Sequence, residues 1–325
     1  LSAFKPAWWL PGPHLQTIWP SLYRKDGLPS PRRERVRTPD DDFLDLDWCG
    51  NGEGPIVLLL HGLTGSSRSS YVAGISRVLC DYGYTTAALN FRGCSGEPNH
   101  TAWAYHSGET TDLDWIYRHI KDCYPTRSLS MVGYSLGGNV LLKWLGQQGV
   151  NVDVQSAVSV SVPFLLNICA DQMDKGFSRI YRDRLLKELK EYIVWKKAHL
   201  DKTGRLSEAE RLHRLGDLSS IRSFWEYDGH VVSGIYGFKG ADDYYAQSSS
   251  RYYLSGISVP TLMIQAKDDP FMSKEVIPSS SELSGSSELL LTEQGGHVGF
   301  VNGSRPWRYN NWLEHRIFAF LQKHL

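Results

Sequence analysis

Leu129-Ser130-Met131-Val132-Gly133-Tyr134-Ser135-Leu136-Gly137-Gly138-Asn139 is the stretch on which the fold turns. Residues 129–132 form an apolar run of strand length. Gly133 to Gly137 then fits G-x-S-x-G, and residues 138–148, with Leu141 and Leu142, read as a helix. The bare pentapeptide is a weak signal in a chain holding 30 glycines. Its setting is strong, because strand, sharp turn and helix together make a nucleophile elbow. The glycines let strand and helix approach closely. Ser135 is thereby forced outward at the C-terminal edge of a sheet. The helix N-terminus behind it offers free N–H groups to a developing negative charge.

Outward from the elbow, strands and helices alternate. Residues 56–60 form a continuous apolar run, the mark of a strand buried on both faces of a parallel sheet. A helix is expected over 69–82, a strand over 85–91, a helix over 111–124 and a strand over 154–162. Two strands precede them, at 32–38 and 43–49, the second alternating Phe43, Leu44, Leu46 and Trp48. The alternation predicts a mostly parallel, doubly wound α/β sheet. It stops after Pro163 and resumes with a strand at 260–266, another near 288–291 and a closing helix from Trp312. The charged helical stretch 179–200 and the aromatic-rich stretch after it are inserted between two strands of one sheet. Residues 165–253 are therefore expected to form a helical cap, and residues 1–164 with 254–325 the core. Residues 1–30, rich in Pro and Trp, are expected to wrap its surface.

A serine needs a base held by an acid. On this type of sheet the chain order is Ser, Asp or Glu, then His. Ala266-Lys267-Asp268-Asp269-Pro270 follows one late strand and Gly295-Gly296-His297 follows the next. Of eleven histidines, His297 has the expected placement. Asp269 is favoured as the acid, because related loops place it three residues past the small residue that ends the strand, here Ala266, with Asp268 capping the loop. The second oxyanion donor is expected from His61-Gly62-Leu63-Thr64-Gly65, so the backbone N–H groups of Leu63 and Leu136 form the pair, with His61 holding its loop.

These residues, with PHLQTIWP (13–20), NFRGCSGEPN (90–99), YHSGET (105–110), KGFSR (175–179), AKDDPFM (266–272) and GGHVGF (295–300), give the chain a resemblance over almost its full length. It resembles the YheT-type branch of the α/β-hydrolase superfamily, related to the eukaryotic abhydrolase-domain lipases. The resemblance implies an α/β-hydrolase fold with a helical cap and a triad of Ser135, Asp269 and His297. It also implies carboxylester hydrolysis, with short-chain esters or acylglycerol-like lipids as substrates.

Other features point to bland roles. Phe91 to Gly96 reads as a shaped turn and His106 as part of a helix-entry loop. The charged run 179–197 reads as a solvated helix face, and Phe224, Trp225, Tyr227, Tyr236, Phe238, Tyr244, Tyr245, Tyr252 and Tyr253 as walls of an acyl pocket or as cap packing. Lys and Arg total 35 against 35 Asp and Glu, a balance that disfavours nucleic acid as partner. Five cysteines without CxxC spacing suggest a reducing, cytoplasmic setting. No clustered metal ligands, phosphate loop or His-x4-Asp acyltransferase pattern is present, so neither metal nor cofactor is expected. No apolar run spans a membrane, which leaves transient contact with a membrane surface open. The expected activity is a serine ester hydrolase. An acyltransferase or thioesterase with the same triad, or a catalytically idle ligand-binding fold, is the alternative.

Overall fold

A computed structural model of the chain describes residues 3–24, 31–50, 52–306 and 308–325. The strands are β1 (Arg32–Arg37), β2 (Phe43–Cys49), β3 (Ile56–Leu60), β4 (Thr85–Asn90), β5 (Leu129–Tyr134), β6 (Ser156–Val160), β7 (Thr261–Ala266) and β8 (Ser287–Thr292). They form one sheet in the order β1-β2-β4-β3-β5-β6-β7-β8. The β1–β2 and β2–β4 pairings are antiparallel and the other five parallel.

Strand periodicity divides the core into two layers. Ile56, Leu58 and Leu60 point to one face of the sheet, against α3 (Thr111–Cys123) and α4 (Leu136–Gln148). Val57 and Leu59 point to the other, with the apolar stripes of α2 (Ser70–Asp81) and the C-terminal helix Trp312–Lys323. All five residues of β3 are fully buried, as its unbroken apolar run predicts. β2 departs from expectation, since all seven of its residues are buried and not only the apolar ones. Asp45 and Asp47 tolerate this because Arg35 and Arg33 bind them with paired hydrogen bonds of 2.8–2.9 Å.

From β3 the chain runs outward to β4, then crosses back to β5 on the other side of β3. The order therefore reverses between β3 and β5, and the crevice beyond their carboxyl ends is where sites form on such sheets. Leu60 lies beside Gly133, and Ala266 beside Thr292. The loops leaving β3, β5, β7 and β8 thus emerge along one edge.

Between β6 and β7 run α5 (Leu166–Met173), α6 (Ser178–Lys202), α7 (Leu206–His213), α8 (Phe224–Tyr227), a π turn (Asp228–Val232), α9 (Ser233–Tyr236) and α10 (Ala241–Ser248). Leu186, Ile193, Leu200, Leu212, Val231 and Tyr244 give this segment a core of its own. The charged face of α6 is solvated, with Arg184–Glu188 and Lys187–Glu191 ion pairs along it. No helix among the described residues is long and apolar enough to cross a membrane.

At the N-terminus, α1 (Pro13–Tyr23) lies against the loop after β8. Of the stretch 1–30, residues 1, 2 and 25–30 lie outside the described residues.

Candidate active site

Ser135 sits between β5 and α4 with φ 50° and ψ −119°. This backbone conformation is costly for any residue but glycine. Close packing on both sides imposes it. A Cβ on Gly133 would lie 2.6 Å from the Gly137 carbonyl oxygen, and one on Gly137 would lie 2.5 Å from that of His61. Only glycine fits either position, so strand and helix meet in a turn too tight for Ser135 to relax. α4 starts at Leu136, two residues before the expected helix. Its first N–H groups therefore point directly at the space beside Ser135.

His297 is brought to Ser135 by a loop that is itself strained. Gly296, Val298 and Phe300 all have positive φ. Three residues far away in sequence hold that loop in shape. Ser161 Oγ accepts from the Val298 N–H (3.0 Å), Thr17 Oγ1 from the His297 N–H (2.9 Å) and Gln16 Oε1 from the Val301 N–H (2.8 Å). Gln16 Nε2 returns a bond to the Val301 carbonyl. The N-terminal PHLQTIWP segment thus positions the histidine.

The three side chains expected to form the triad lie within hydrogen-bond reach of one another. His297 Nε2 lies 2.9 Å from Ser135 Oγ, and His297 Nδ1 lies 2.8 Å from Asp269 Oδ2. Asp269 is buried, and its other oxygen accepts from the Phe271 N–H at 2.9 Å. A carboxylate so placed fixes the proton on Nδ1 and leaves Nε2 to accept from the serine hydroxyl. Asp268 takes the capping role, with Oδ1 accepting from the Gly296 N–H at 3.0 Å. Burial and the charge of Asp269 raise its pKa.

Leu63 and Leu136 line the space around Ser135. Neither backbone N–H has a hydrogen-bond partner among the described residues. The Leu63 loop is braced by hydroxyls: Tyr71 accepts from the Gly62 N–H (2.9 Å) and Tyr105 from the Thr64 N–H (2.8 Å). His61 holds the loop as expected. Its Nε2 accepts from the Phe91 N–H, so Nδ1 carries the proton and donates to the Gly62 carbonyl.

Burial pushes the His61 pKa down to about 4 from an ordinary 6.5, only partly offset by the Gly62 bond. The unfolded chain therefore binds a proton at His61 where the native protein does not. The stabilisation is complete above about pH 6.5 and is lost as pH falls towards 4. Thermal unfolding should show a falling melting temperature across that window, with His61 contributing roughly 2–4 kcal/mol. A pH dependence left unchanged by His61→Gln would show that His61 titrates normally. His106, buried among Tyr236, Phe238 and Tyr244, is pushed further, to about 3, by burial and the charge of Lys143. It accepts from the Gly108 N–H and makes no bond to Ser135. The Cys94 thiol is pushed up to about 12 by burial, which makes it a poor nucleophile.

Two spaces meet at Ser135. An open cleft of about 550 Å³ runs between α1, the Leu63 loop and α6, and its lining includes Arg68, Arg184 and Glu188. A narrower pocket of about 110 Å³ runs under α5 and α8, walled by Leu166, Ala170, Met173, Phe224, Tyr245 and Met272. Of the aromatic residues expected there, Phe224 and Tyr245 line it. Trp225 instead packs on Tyr245 and donates to Asp171, and Phe238 packs on His106 and Tyr244.

Sequence reasoning missed several contributors. Phe271 stacks on His297 with ring centroids 4.1 Å apart and planes 10° from parallel. Asn139, fully buried on α4, ties the nucleophile helix to both neighbouring loops. Its Nδ2 donates to the carbonyls of Ser107 and Ser248, and its Oδ1 accepts from the Ser250 N–H. The motifs GGN and YHSGET marked two ends of that link without showing it. Among the described residues no group of three or more His, Cys, Asp or Glu is placed to hold a metal ion.

Comparison with known proteins fits this geometry. A family model described as the alpha/beta hydrolase fold matches residues 55–304. The chain is 41% identical over 318 residues to YheT of Escherichia coli, covering 96% of this chain and 91% of that one. It is 30% identical to a monoacylglycerol lipase of Saccharomyces cerevisiae, over 90% of this chain and 63% of the yeast protein. It is 28% identical to the human phospholipase ABHD3, over 90% and 71% of the two chains. An esterase of Pyrococcus furiosus shares the fold at a TM-score of 0.57 and 18% identity, covering 91% of each chain.

Proposed function

Because the chain belongs to the α/β-hydrolase family, in its YheT-type branch, we propose that it hydrolyses carboxylic esters through an acyl-enzyme on Ser135. The observation that carries this reading is the continuous hydrogen-bonded series Ser135–His297–Asp269 at the junction of two pockets. Membership with esterase- and lipase-named relatives supports the enzyme class, a carboxylic ester hydrolase.

In the proposed cycle Ser135 Oγ attacks the ester carbonyl carbon and its proton passes to His297 Nε2. The charge that appears on the carbonyl oxygen is met by the N–H groups of Leu63 and Leu136. The α4 N-terminus contributes its positive end. Asp269 stabilises the imidazolium. His297 then gives the proton to the leaving alcohol, and a water activated by the same nitrogen releases the acid. No step calls for a metal or a cofactor.

The two spaces suit the two halves of an ester. The narrow, apolar pocket fits a short acyl chain, and the wide cleft with its charged rim fits the alcohol, up to the size of an acylglycerol. Residues 165–253 act as the cap that sets acyl length. A panel of p-nitrophenyl esters from acetyl to long-chain acyl, with monoacylglycerols, tests the reading. Turnover of short-chain esters supports it, and absence of turnover across the panel overturns it. Phe224→Ala should move the chain-length optimum of kcat/KM upward by tens-fold in the ratio of longer to shorter esters. Trp225→Ala should not, since Trp225 touches the pocket only through Tyr245. The reverse pattern would place the acyl chain elsewhere.

A further inference from the structure

The wall of the narrow pocket contains one group that its apolar surroundings do not explain. Asp228 opens the π turn between α8 and α9. Its carbonyl is held by both the N–H and the Oγ of Ser233. A π turn within an α-helical run is rare and is often found at functional sites. Asp228 lies deep in the protein yet keeps accessible surface. That surface faces two adjoining cavities, the pocket beside Ser135 and a second of about 80 Å³ behind it. Leu63, Ser107, Leu136 and Phe224 border both, so the two spaces are continuous around Asp228.

The carboxyl group is only half satisfied. Oδ2 accepts from the Tyr245 hydroxyl at 2.7 Å. Among the described residues nothing donates to Oδ1, and no Lys, Arg or His pairs with the group. The neighbouring Tyr227 lines the second cavity, and its hydroxyl makes no hydrogen bond to any described residue. The oxygen that no protein group satisfies is accessible from the cavities, so water can complete it in the empty protein and a polar group of a bound molecule can take that place. Nor does the fold need a carboxylate here, since Asp228 links only to Tyr245, which packs well on Trp225 and Tyr244.

We propose that Asp228 and Tyr227 form a polar subsite where the acyl pocket meets the second cavity, which binds a hydroxyl group carried on the acyl chain of the substrate. The proposal rests on the ester-hydrolase reading for the identity of the pocket as acyl-binding. The chemistry selects a hydroxyl over other polar groups. Burial pushes the Asp228 carboxyl up to about 7, so near neutrality both its forms are populated. A hydroxyl donates to the carboxylate and accepts from the neutral acid, and it accepts equally from the Tyr227 hydroxyl. A carbonyl accepts from the Tyr227 hydroxyl and from the neutral acid but leaves the carboxylate unmatched. An ammonium serves only the carboxylate, and must leave its hydration for an apolar pocket.

The test is a series of p-nitrophenyl esters of one chain length, with a hydroxyl moved along the acyl chain carbon by carbon. In the wild-type protein kcat/KM should peak at one hydroxyl position, roughly 10- to 100-fold above the unsubstituted ester. Asp228→Leu should bring that ratio to one or below, and Asp228→Asn and Tyr227→Phe should lower it partly. A flat series in the wild type, or a peak unchanged in Asp228→Leu, overturns the subsite. Calorimetric binding of the matching hydroxyalkanoic and alkanoic acids to Ser135→Ala gives a readout without turnover. Equal affinities there overturn the subsite while ester hydrolysis stands. A hydroxyl preference in binding with no ester turnover in the wild type keeps the subsite and overturns the hydrolase reading.

Discussion

Ser135→Ala is expected to lower kcat/KM on the best short-chain ester by about 10⁶-fold, with the fold unchanged. The substitution removes one oxygen from a side chain whose hydroxyl makes a single hydrogen bond among the described residues, to His297 Nε2. It leaves the φ of 50° at residue 135 and the packing of Gly133 and Gly137 as they were. Melting temperature should accordingly stay within about 3 °C of wild type. Loss of activity with the fold retained would assign the nucleophile. Residual activity above about 1% would mean that another group starts the reaction, since removal of a triad nucleophile usually costs several orders of magnitude.

Asp269→Asn is the second large effect, a fall of roughly 10³–10⁴-fold in kcat. The effect comes from the proton on the imidazole. Asp269 Oδ2 is 2.8 Å from His297 Nδ1 and buried, so its charge holds the proton on Nδ1 and stabilises the cation formed during attack. An amide in its place can offer an N–H to Nδ1, which turns Nε2 into a donor unable to accept from Ser135. Asp268→Asn should cost far less, because Asp268 bonds to the Gly296 backbone and not to the imidazole. Steady-state kinetics of the two variants decide between them. A larger loss from Asp268→Asn would place the acid one residue earlier.

Much of the site was legible in the sequence because it depends on local rules. An apolar run, a glycine-flanked serine and a helix fix the elbow, and the residues after the last two parallel strands fall on the same sheet edge wherever the helices lie. That logic put forward Asp269, His297 and the N–H groups of Leu63 and Leu136, and the structure places Asp269 and His297 in series with Ser135. What escaped was long-range or shape-dependent. Gln16 and Thr17 hold the histidine loop from about 280 residues away, and a glutamine in an amphipathic segment gives no sign of its partner. The pocket wall was expected from aromatic residues, yet α5 supplies Leu166, Ala170 and Met173, ordinary core types by sequence. Phe224 faces the pocket while its neighbour Trp225 does not, since adjacent helical residues point about 100° apart. β2 read as an alternating strand, and only the Arg33 and Arg35 partners on β1 explain why Asp47 and Asp45 are buried within it.

The central claim is that Ser135 is an activated nucleophile, and one measurement addresses it without assuming any substrate. The intact protein is treated with a fluorophosphonate probe, its mass is measured, and the modified residue is located by peptide mapping. The account predicts a single adduct, on Ser135, formed in the wild type and absent from His297→Ala. A wild-type protein that acquires no adduct, or that carries one on a different serine with Ser135 unmodified, would contradict it.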